Sequence, residues 1–397
     1  MAHRRGRLTV AVLLFLGALP AAAGGFRLSE QCPPGFEQLP GDRCRLVTLY
    51  DQYDSLQGAG VGGTRTGLPP RRDGFTAQQI DLGRYLFFDP LLSADDDLSC
   101  ASCHDPALGL TDGRGRSTGR HGEVLPRGAP TLWNSAFLSR FFWDARADSL
   151  EGQLPGPLYA SEEMGNNPGD LLAALRGNAA YPALFRQAFG KDSGPIDTVQ
   201  VYTALAAFEA SLVSLNSRYD RYAHGDHGAL DSEEIAGLNV FRSFVARCAE
   251  CHTPPLFTNQ QVAVIGSPEP AGLPRDSGAG ATFDSPKLRG AFKVPTLRNI
   301  ARTAPYMHSG RFETLQEVVA FYNGGRGHAV PEDEGLQLHW HIVSPDLADH
   351  ELEQLVAFLD TLTDERFLPR VPARVPSGLA PGGRPARADP DPTGDAP

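Results

Sequence analysis

Cys100-Ala101-Ser102-Cys103-His104 is the stretch on which the rest of the chain turns, and its pattern returns as Cys248-Ala249-Glu250-Cys251-His252. Two residues between the cysteines bring both sulfurs to one porphyrin edge from a single helical turn. Each thiol can add across a haem vinyl group, and the histidine that follows offers its imidazole to the iron as proximal ligand. A thioredoxin-like redox pair, half of a zinc site and a structural disulfide are the other chemistries open to C-x-x-C. The repetition, with histidine in place both times, favours two covalently bound c-type haems.

The flanks agree with that reading. His3, Arg4, Arg5 and Arg7 precede an apolar run from Leu8 to Leu19, and Pro20-Ala21-Ala22-Ala23-Gly24 follows. This is the pattern of an export signal cleaved after Ala23, with a retained membrane anchor as the other reading. No later stretch is apolar for long enough to span a bilayer, so a soluble periplasmic protein without a membrane anchor is expected. The chain carries a net charge of −11, and loss of Arg4, Arg5 and Arg7 leaves 33 basic against 47 acidic side chains, or −14. That balance argues against nucleic acid or an anionic membrane surface as partner. Four of the six cysteines belong to the repeated motif, leaving Cys32 and Cys44. In an oxidising compartment these two are expected to form a disulfide, with a free or metal-binding pair as the alternative.

Residues 24–75 are rich in Gly, Pro and Arg and read as an extension wrapped over the core. A first haem domain is expected over 76–225 and a second over 226–368. Thr76-Ala77-Gln78-Gln79 reads as a capping box opening a helix. Ile196 to Leu215 reads as a long amphipathic helix, and Asp231-Ser232-Glu233-Glu234 as the start of another that runs into Cys248. Asp349 to Leu362 has the apolar stripe of a closing C-terminal helix. Both haem motifs are followed by proline and an apolar residue, as expected of a duplicated unit. The aperiodic Pro-, Ala- and Arg-rich segment 369–397 is expected to be a disordered tail.

What else surrounds each iron decides its role, because a strong sixth ligand suits electron transfer and an open site suits peroxide chemistry. Methionine, the usual sixth ligand of an electron-carrying cytochrome c, occurs only as Met1, Met164 and Met307. Several further stretches carry a family resemblance. They are Asp81-Leu82-Gly83-Arg84-Tyr85-Leu86-Phe87-Phe88-Asp89-Pro90, Ala129-Pro130-Thr131-Leu132, Phe142-Trp143-Asp144-Ala145-Arg146-Ala147, Val294-Pro295-Thr296-Leu297-Arg298-Asn299 and Ala304-Pro305-Tyr306-Met307-His308-Ser309-Gly310. In order and spacing, with the two haem motifs among them, the sequence resembles the bacterial di-haem cytochrome c peroxidase and MauG superfamily over roughly Thr76 to Arg366. The resemblance implies a mostly α fold of two cytochrome c-like domains with the haems near their interface.

It also implies roles for single residues. Trp143 corresponds to the family's tryptophan between the haems, a relay for electrons, although a core aromatic would look the same. Gln153 and Glu163 correspond to the distal glutamine and acid, the carboxylate moving a peroxide proton between oxygens. Glu162 is adjacent, and either could be a solvated surface acid. Pro157 corresponds to the proline lining that pocket. Thr303 and Pro305 correspond to positions whose carbonyls bind a calcium ion between the domains, but Gly128 stands where the family has asparagine. Tyr322, in Phe321-Tyr322-Asn323-Gly324-Gly325, takes the place where MauG-like members bring a tyrosine to the second iron, with Met307, His308 or His328 as the other candidates. His121 is near the place where some members carry a histidine that blocks the first haem at rest, or is a solvated loop residue.

The function expected from this resemblance is that of a periplasmic di-haem peroxidase. Hydrogen peroxide would react at the haem held by Cys100, Cys103 and His104. The second haem, held by Cys248, Cys251, His252 and Tyr322, would share the oxidising equivalents in a high-valent di-haem state. The pair would then oxidise a redox partner protein or protein substrate. An ordinary cytochrome c peroxidase fed by a small cytochrome or cupredoxin is the alternative, and a non-enzymatic di-haem electron carrier is the alternative from another class.

Overall fold

The computed structural model describes residues 25–52, 67–325, 335–364 and 366–383. The expected signal peptide, His328 and the last fourteen residues of the expected tail lie outside them. The described chain is mostly α-helical with two short two-stranded sheets, and it forms two cytochrome c-like domains.

Each domain is built on one crossing of two helices. In the first, Ala77–Phe88 starts at a capping box in which Thr76 and Gln79 satisfy each other's backbone N–H groups, and it packs on Thr198–Ala210. The crossing falls at Gly83, where a Cβ would stand 1.8 Å from the Ala204 carbonyl oxygen. Only glycine lets the backbones approach this closely. In the second, Ser232–Phe241 is capped by Asp231 and Glu234, and crosses Asp349–Asp360 at Gly237. There a Cβ would lie 1.9 Å from the Gln354 carbonyl oxygen. Phe87 meets Phe208 at 5.0 Å in one domain, and Phe241 meets Phe358 at 5.1 Å in the other. The two crossings are the same device used twice, as expected of a duplicated unit.

Three sequence expectations change. The helix expected over 196–215 is confined to Thr198–Ala210, and it is buried on nearly every face from Ala204 to Ala210 rather than amphipathic. It lies sandwiched between the first helix and the segment around Ser135, so its apolar residues are not confined to one stripe. The helix from Asp231 stops at Phe241, and Arg247 turns the chain with a left-handed φ of 58° before the haem motif. The segment 369–383 is not a disordered tail. Val375 is fully buried in the first domain's core, Ser377 N–H donates to Asp89, and Gly382 N–H donates to the Phe88 carbonyl at 2.8 Å. A proline-rich strap loses little entropy when fixed, so a few contacts suffice to hold it.

The extension before Thr76 joins the parts together. Strands Phe36–Gln38 and Cys44–Leu46 pair antiparallel, and Cys32 is joined to Cys44 by a disulfide. Tyr50 from this extension donates its hydroxyl to Asp220, the residue that Arg298 of the second domain grips.

Candidate active site

Both C-x-x-C pairs form one turn of helix, Cys100–Cys103 and Cys248–Cys251, with the histidine at the end of each. The amide of His104 donates to the Cys100 carbonyl and that of His252 to the Cys248 carbonyl, both at 2.9 Å. His104 Nδ1 lies 3.0 Å from the Leu110 carbonyl oxygen, and His252 Nδ1 lies 3.1 Å from that of Phe257 and 3.2 Å from that of Pro295. Nδ1 facing a carbonyl must carry the proton, which leaves Nε2 as a free lone pair for a metal. Leu110 and Phe257 take left-handed φ values of 62° and 54°, and each accepts a proximal-histidine bond. That conformation costs roughly 1 kcal/mol for a residue with a Cβ. Burial lowers both imidazole pKa values against the help of the carbonyls, that of His252 to about 4, so both rings stay neutral.

The four thiols form no disulfide. Burial pushes the Cys103 and Cys248 thiols up to about 12, and Cys100 and Cys251 are raised as well. Protonated, buried thiols are poor redox nucleophiles. Among the described residues no cluster of His, Cys, Asp and Glu could hold a metal ion. The donor set suits thioether attachment of a haem with an axial imidazole.

A cavity of about 250 Å³ lies over the second motif. It is lined by Cys248, Cys251, His252, Tyr322, Met307 and Lys293, and it extends to Trp143 and Pro130 of the first domain. Lys293 is 8% exposed, and its ammonium has no anionic partner among the described residues. Burial lowers its pKa to about 8. A buried, unpaired cation facing an apolar cavity calls for an anion, and a haem carboxylate meets that need. The residues present therefore fit the group that the motif implies.

Over residues 128–157 and 293–322 the halves superpose in sequence by an offset of 165 residues (299 − 134). Thr131 Oγ1 donates to the Gly109 carbonyl at 2.7 Å, and Thr296 Oγ1 to that of Leu256 at 2.6 Å. Asn134 and Asn299 are both left-handed, at φ 61° and 57°. The bridges Phe141–Ala147 and Tyr306–Phe312 come next, then the helix caps Ser149 and Thr314. In this register Trp143 matches His308, Gly128 matches Lys293, and Pro157 matches Tyr322.

Tyr322 lies on helix Leu315–Gly324 and lines the cavity together with Cys251 and Cys248. Burial raises its phenol, so ionisation there needs a cation such as iron. Of the other candidates, His308 is taken. Its Nε2 is 3.0 Å from Glu269 and its ring stacks on Phe292 at 3.8 Å. Met307 lines the cavity and His328 is outside the described residues.

Trp143 is held at both ends between the domains. Its Nε1–H donates to the Gly128 carbonyl at 2.8 Å, its own carbonyl accepts from Lys293 N–H at 2.7 Å, and its ring stands 6.5 Å from His308. Arg127 beside it bridges Asp144 at 2.7 Å and Asp276 at 2.6 Å, tying the first domain to the second.

On the first side, Glu162 is exposed and bonded to Ser161, whereas Glu163 is half-buried and acts electrostatically on Cys103. Burial raises the Glu163 carboxyl, opposed by Arg146 and assisted by Glu162. Gln153 ends the short helix Leu150–Gln153 and is half-buried. His121 is not in a buried site: it is 67% exposed and 3.7 Å from Asp95, on a turn pinned by the Arg120–Asp95 ion pair. Its expected role as a blocking ligand therefore has no support in this arrangement. Thr303 and Pro305 line the cavity with Trp143. Gly128 admits no side chain, since a Cβ would meet the Gly115 and Arg114 carbonyl oxygens at 2.8 and 2.9 Å. The oxygen set for calcium is incomplete at that position.

Lys293, Glu209 and the Asp220–Arg298 pair escaped sequence reasoning. A lone charge in an apolar run, as in Ala206-Ala207-Phe208-Glu209-Ala210 or Ala291-Phe292-Lys293-Val294, was the available signal.

Comparison with known proteins agrees with this geometry. Residues 77–228 match the family described as di-haem cytochrome c peroxidase. The chain is 37% identical over 306 residues to the methylamine utilization protein MauG of Methylorubrum extorquens, covering 76% of this chain and 84% of that one. It is 34% identical to cytochrome c551 peroxidase of Pseudomonas aeruginosa, covering 74% of this chain and 80% of that one. The crystal structure of a MauG-like protein associated with microbial copper homeostasis superposes with a TM-score of 0.68 at 32% identity, covering 78% of this chain and 96% of that one. The diheme peroxidase BthA from Burkholderia thailandensis gives 0.64 at 28% identity, covering 81% and 98%. With two matched haem-binding turns, neutral proximal imidazoles and relatives of this coverage, the chain belongs to the di-haem cytochrome c peroxidase and MauG family and is a haem peroxidase.

Proposed function

We propose that this protein is a MauG-like peroxidase of the periplasm, which reacts with hydrogen peroxide at the first haem and withdraws electrons from a partner protein. The haems, attached through Cys100, Cys103, Cys248 and Cys251, would supply the redox chemistry. The observation that carries this reading is the pairing of Pro157 with Tyr322 across the internal repeat. The proline side chain has no donor for iron, so the first site would keep a position free for peroxide. Tyrosine brings a hard anionic oxygen that favours the oxidised iron of the second site.

The remaining residues divide the work. His104 and His252, with their tautomers set by carbonyls, would hold the haem irons through Nε2. Glu163, half-buried, takes the proton from the near oxygen of peroxide and returns it to the far one, and Gln153 orients the molecule. Trp143, anchored between Gly128 and Lys293, is the route between the two sites. Export is supported by the charged and apolar N-terminal run and by the Cys32–Cys44 disulfide, which suits an oxidising compartment. Among the described residues no helix is long and apolar enough to cross a membrane.

Tyr322→Phe is the deciding variant. The low-spin ferric signature of the second haem should be lost while both haems remain attached; an unchanged signature would remove the reading. Met307 lines the same cavity and favours a second reading, a cytochrome c peroxidase drawing on a small cytochrome or cupredoxin. Rapid steady-state turnover with a reduced cytochrome, together with loss of the low-spin signature in Met307→Leu, would establish that one instead. A ferric spectrum that peroxide leaves unchanged would exclude both.

A further inference from the structure

Glu209 is a buried acid that the peroxide chemistry above does not use. It is 5% exposed on helix Thr198–Ala210, in the heart of the first domain. The helix crossings supply the register for locating it. Ala204 and Phe208 meet Gly83 as Gln354 and Phe358 meet Gly237. The residue after Phe208 therefore corresponds to the residue after Phe358, which is Leu359. Leu359 is 6% exposed and lines the second-haem cavity. A carboxyl thus stands at the first haem where the second haem has a hydrocarbon. An independent sign agrees: the charge of Glu209 acts on Cys100, the first attachment thiol, whereas no carboxylate acts on Cys248.

Among the described residues no cation pairs with it. From helix Leu150–Gln153 comes Glu151, which repels it and is itself paired with Arg72. On helix Ala77–Phe88 the charged residues Asp81 and Arg84 pair with each other. From the 135–137 turn, Ser135 donates only to the Glu209 backbone carbonyl. Burial, and then Glu151, push the Glu209 carboxyl up to about 8. It is a proton-bearing group at neutral pH, with a charged form that only a nearby positive charge would stabilise.

We propose that Glu209 is the proton-exchanging partner of the first haem: it keeps its proton while that haem is reduced and releases it to water when an electron leaves. Removing the electron adds one positive charge beside the carboxyl, and releasing the proton restores the balance. The carboxylate then stabilises the oxidised haem, and reduction reverses both transfers. By the same logic Leu359 leaves the second haem uncoupled from protons at this position. The inference needs haem at Cys100–His104 but does not depend on Tyr322, so it can fail or stand separately from the function proposed above.

Spectroelectrochemical titration of the di-haem protein across pH 6 to 9 tests it. At fixed applied potential, the oxidised-to-reduced ratio of the first haem should rise with pH, by up to about ten-fold per unit for one fully coupled proton. Glu209→Gln should flatten that dependence and leave the second haem's ratio unchanged, whereas Glu209→Asp should retain a slope. Glu163→Gln, the other half-buried acid on this side, should keep the wild-type slope. A Glu209→Gln protein with the wild-type slope, or a wild type with none, overturns the proposal. Should the Glu209 variants not take up haem, the redox-triggered infrared difference spectrum of the wild type decides. Loss of a protonated-carboxyl band on oxidation of the first haem, retained in Glu163→Gln, supports the assignment, and absence of that band overturns it.

Discussion

Arg298 grips Asp220 through two hydrogen bonds of 2.6 and 2.7 Å, and both side chains are wholly removed from solvent. Arg298 also donates to the Pro255 carbonyl, and Asp220 accepts from Ser217 and from Tyr50 of the N-terminal extension. Tyr219 and Tyr222 on either side of Asp220 pack in the core of the second domain, so the N-terminal extension meets that domain at one buried ion pair.

Removing one partner of that pair leaves the other buried and uncompensated. Arg298→Met should destabilise the protein by about 3–5 kcal/mol, and a double change to apolar residues at 220 and 298 by less. Burial alone would raise the Asp220 carboxyl, but Arg298 and the hydrogen bonds hold it below the usual carboxylate value. Its contribution is then present above the unfolded aspartate pKa, about 3.9, and is lost as pH falls below it through the folded value. Thermal melts between pH 3 and 6 should show a steeper acid-side loss in the wild type than in the double variant.

A methyl group at either helix crossing has nowhere to go. Gly83→Ala places a carbon 1.8 Å from the Ala204 carbonyl oxygen, and Gly237→Ala places one 1.9 Å from that of Gln354. The backbones must separate, at a cost of about 1–3 kcal/mol or more. Each variant should loosen its own domain, seen as loss of near-ultraviolet dichroism and weaker retention of the corresponding haem.

Glu163→Gln should slow the peroxide-induced change in the haem spectrum by roughly 10²–10⁴-fold, the range for a missing acid–base group. The carboxylate is the form that accepts a proton, so the wild-type rate should climb with pH. Because burial raises this carboxyl, the climb should lie above the ordinary glutamate pKa of about 4.3. Stopped-flow traces against pH measure both, and the pH-dependent limb should vanish in the variant.

Lys293 is the buried cation at the second haem. Lys293→Met removes a positive charge from a low-dielectric site and should make that haem easier to oxidise, lowering its midpoint potential. Lys293→Arg should restore most of the wild-type value. The first haem's potential serves as the internal reference in the same titration.

What could be read without coordinates was chemistry confined to a turn or two. Cys100 and Cys103 share one helical turn because two residues separate them, and His104 follows; no distant residue alters that spacing. The caps Thr76 and Asp231 are local for the same reason, since each satisfies N–H groups within three residues. The boundaries of the 198–210 helix and the packed strap at 369–383 were not legible, because contacts with distant residues override local pattern there. Gly128, seen in the sequence as a missing ligand, proves to be a place where two other carbonyls exclude any side chain. Lys293 and Glu209 show the same division most clearly. In the sequence each is a charge in an apolar run; only folding buries it without a counter-ion beside a haem site. An unpaired charge acquires its energetic meaning from the solvent and partners that the rest of the chain takes away.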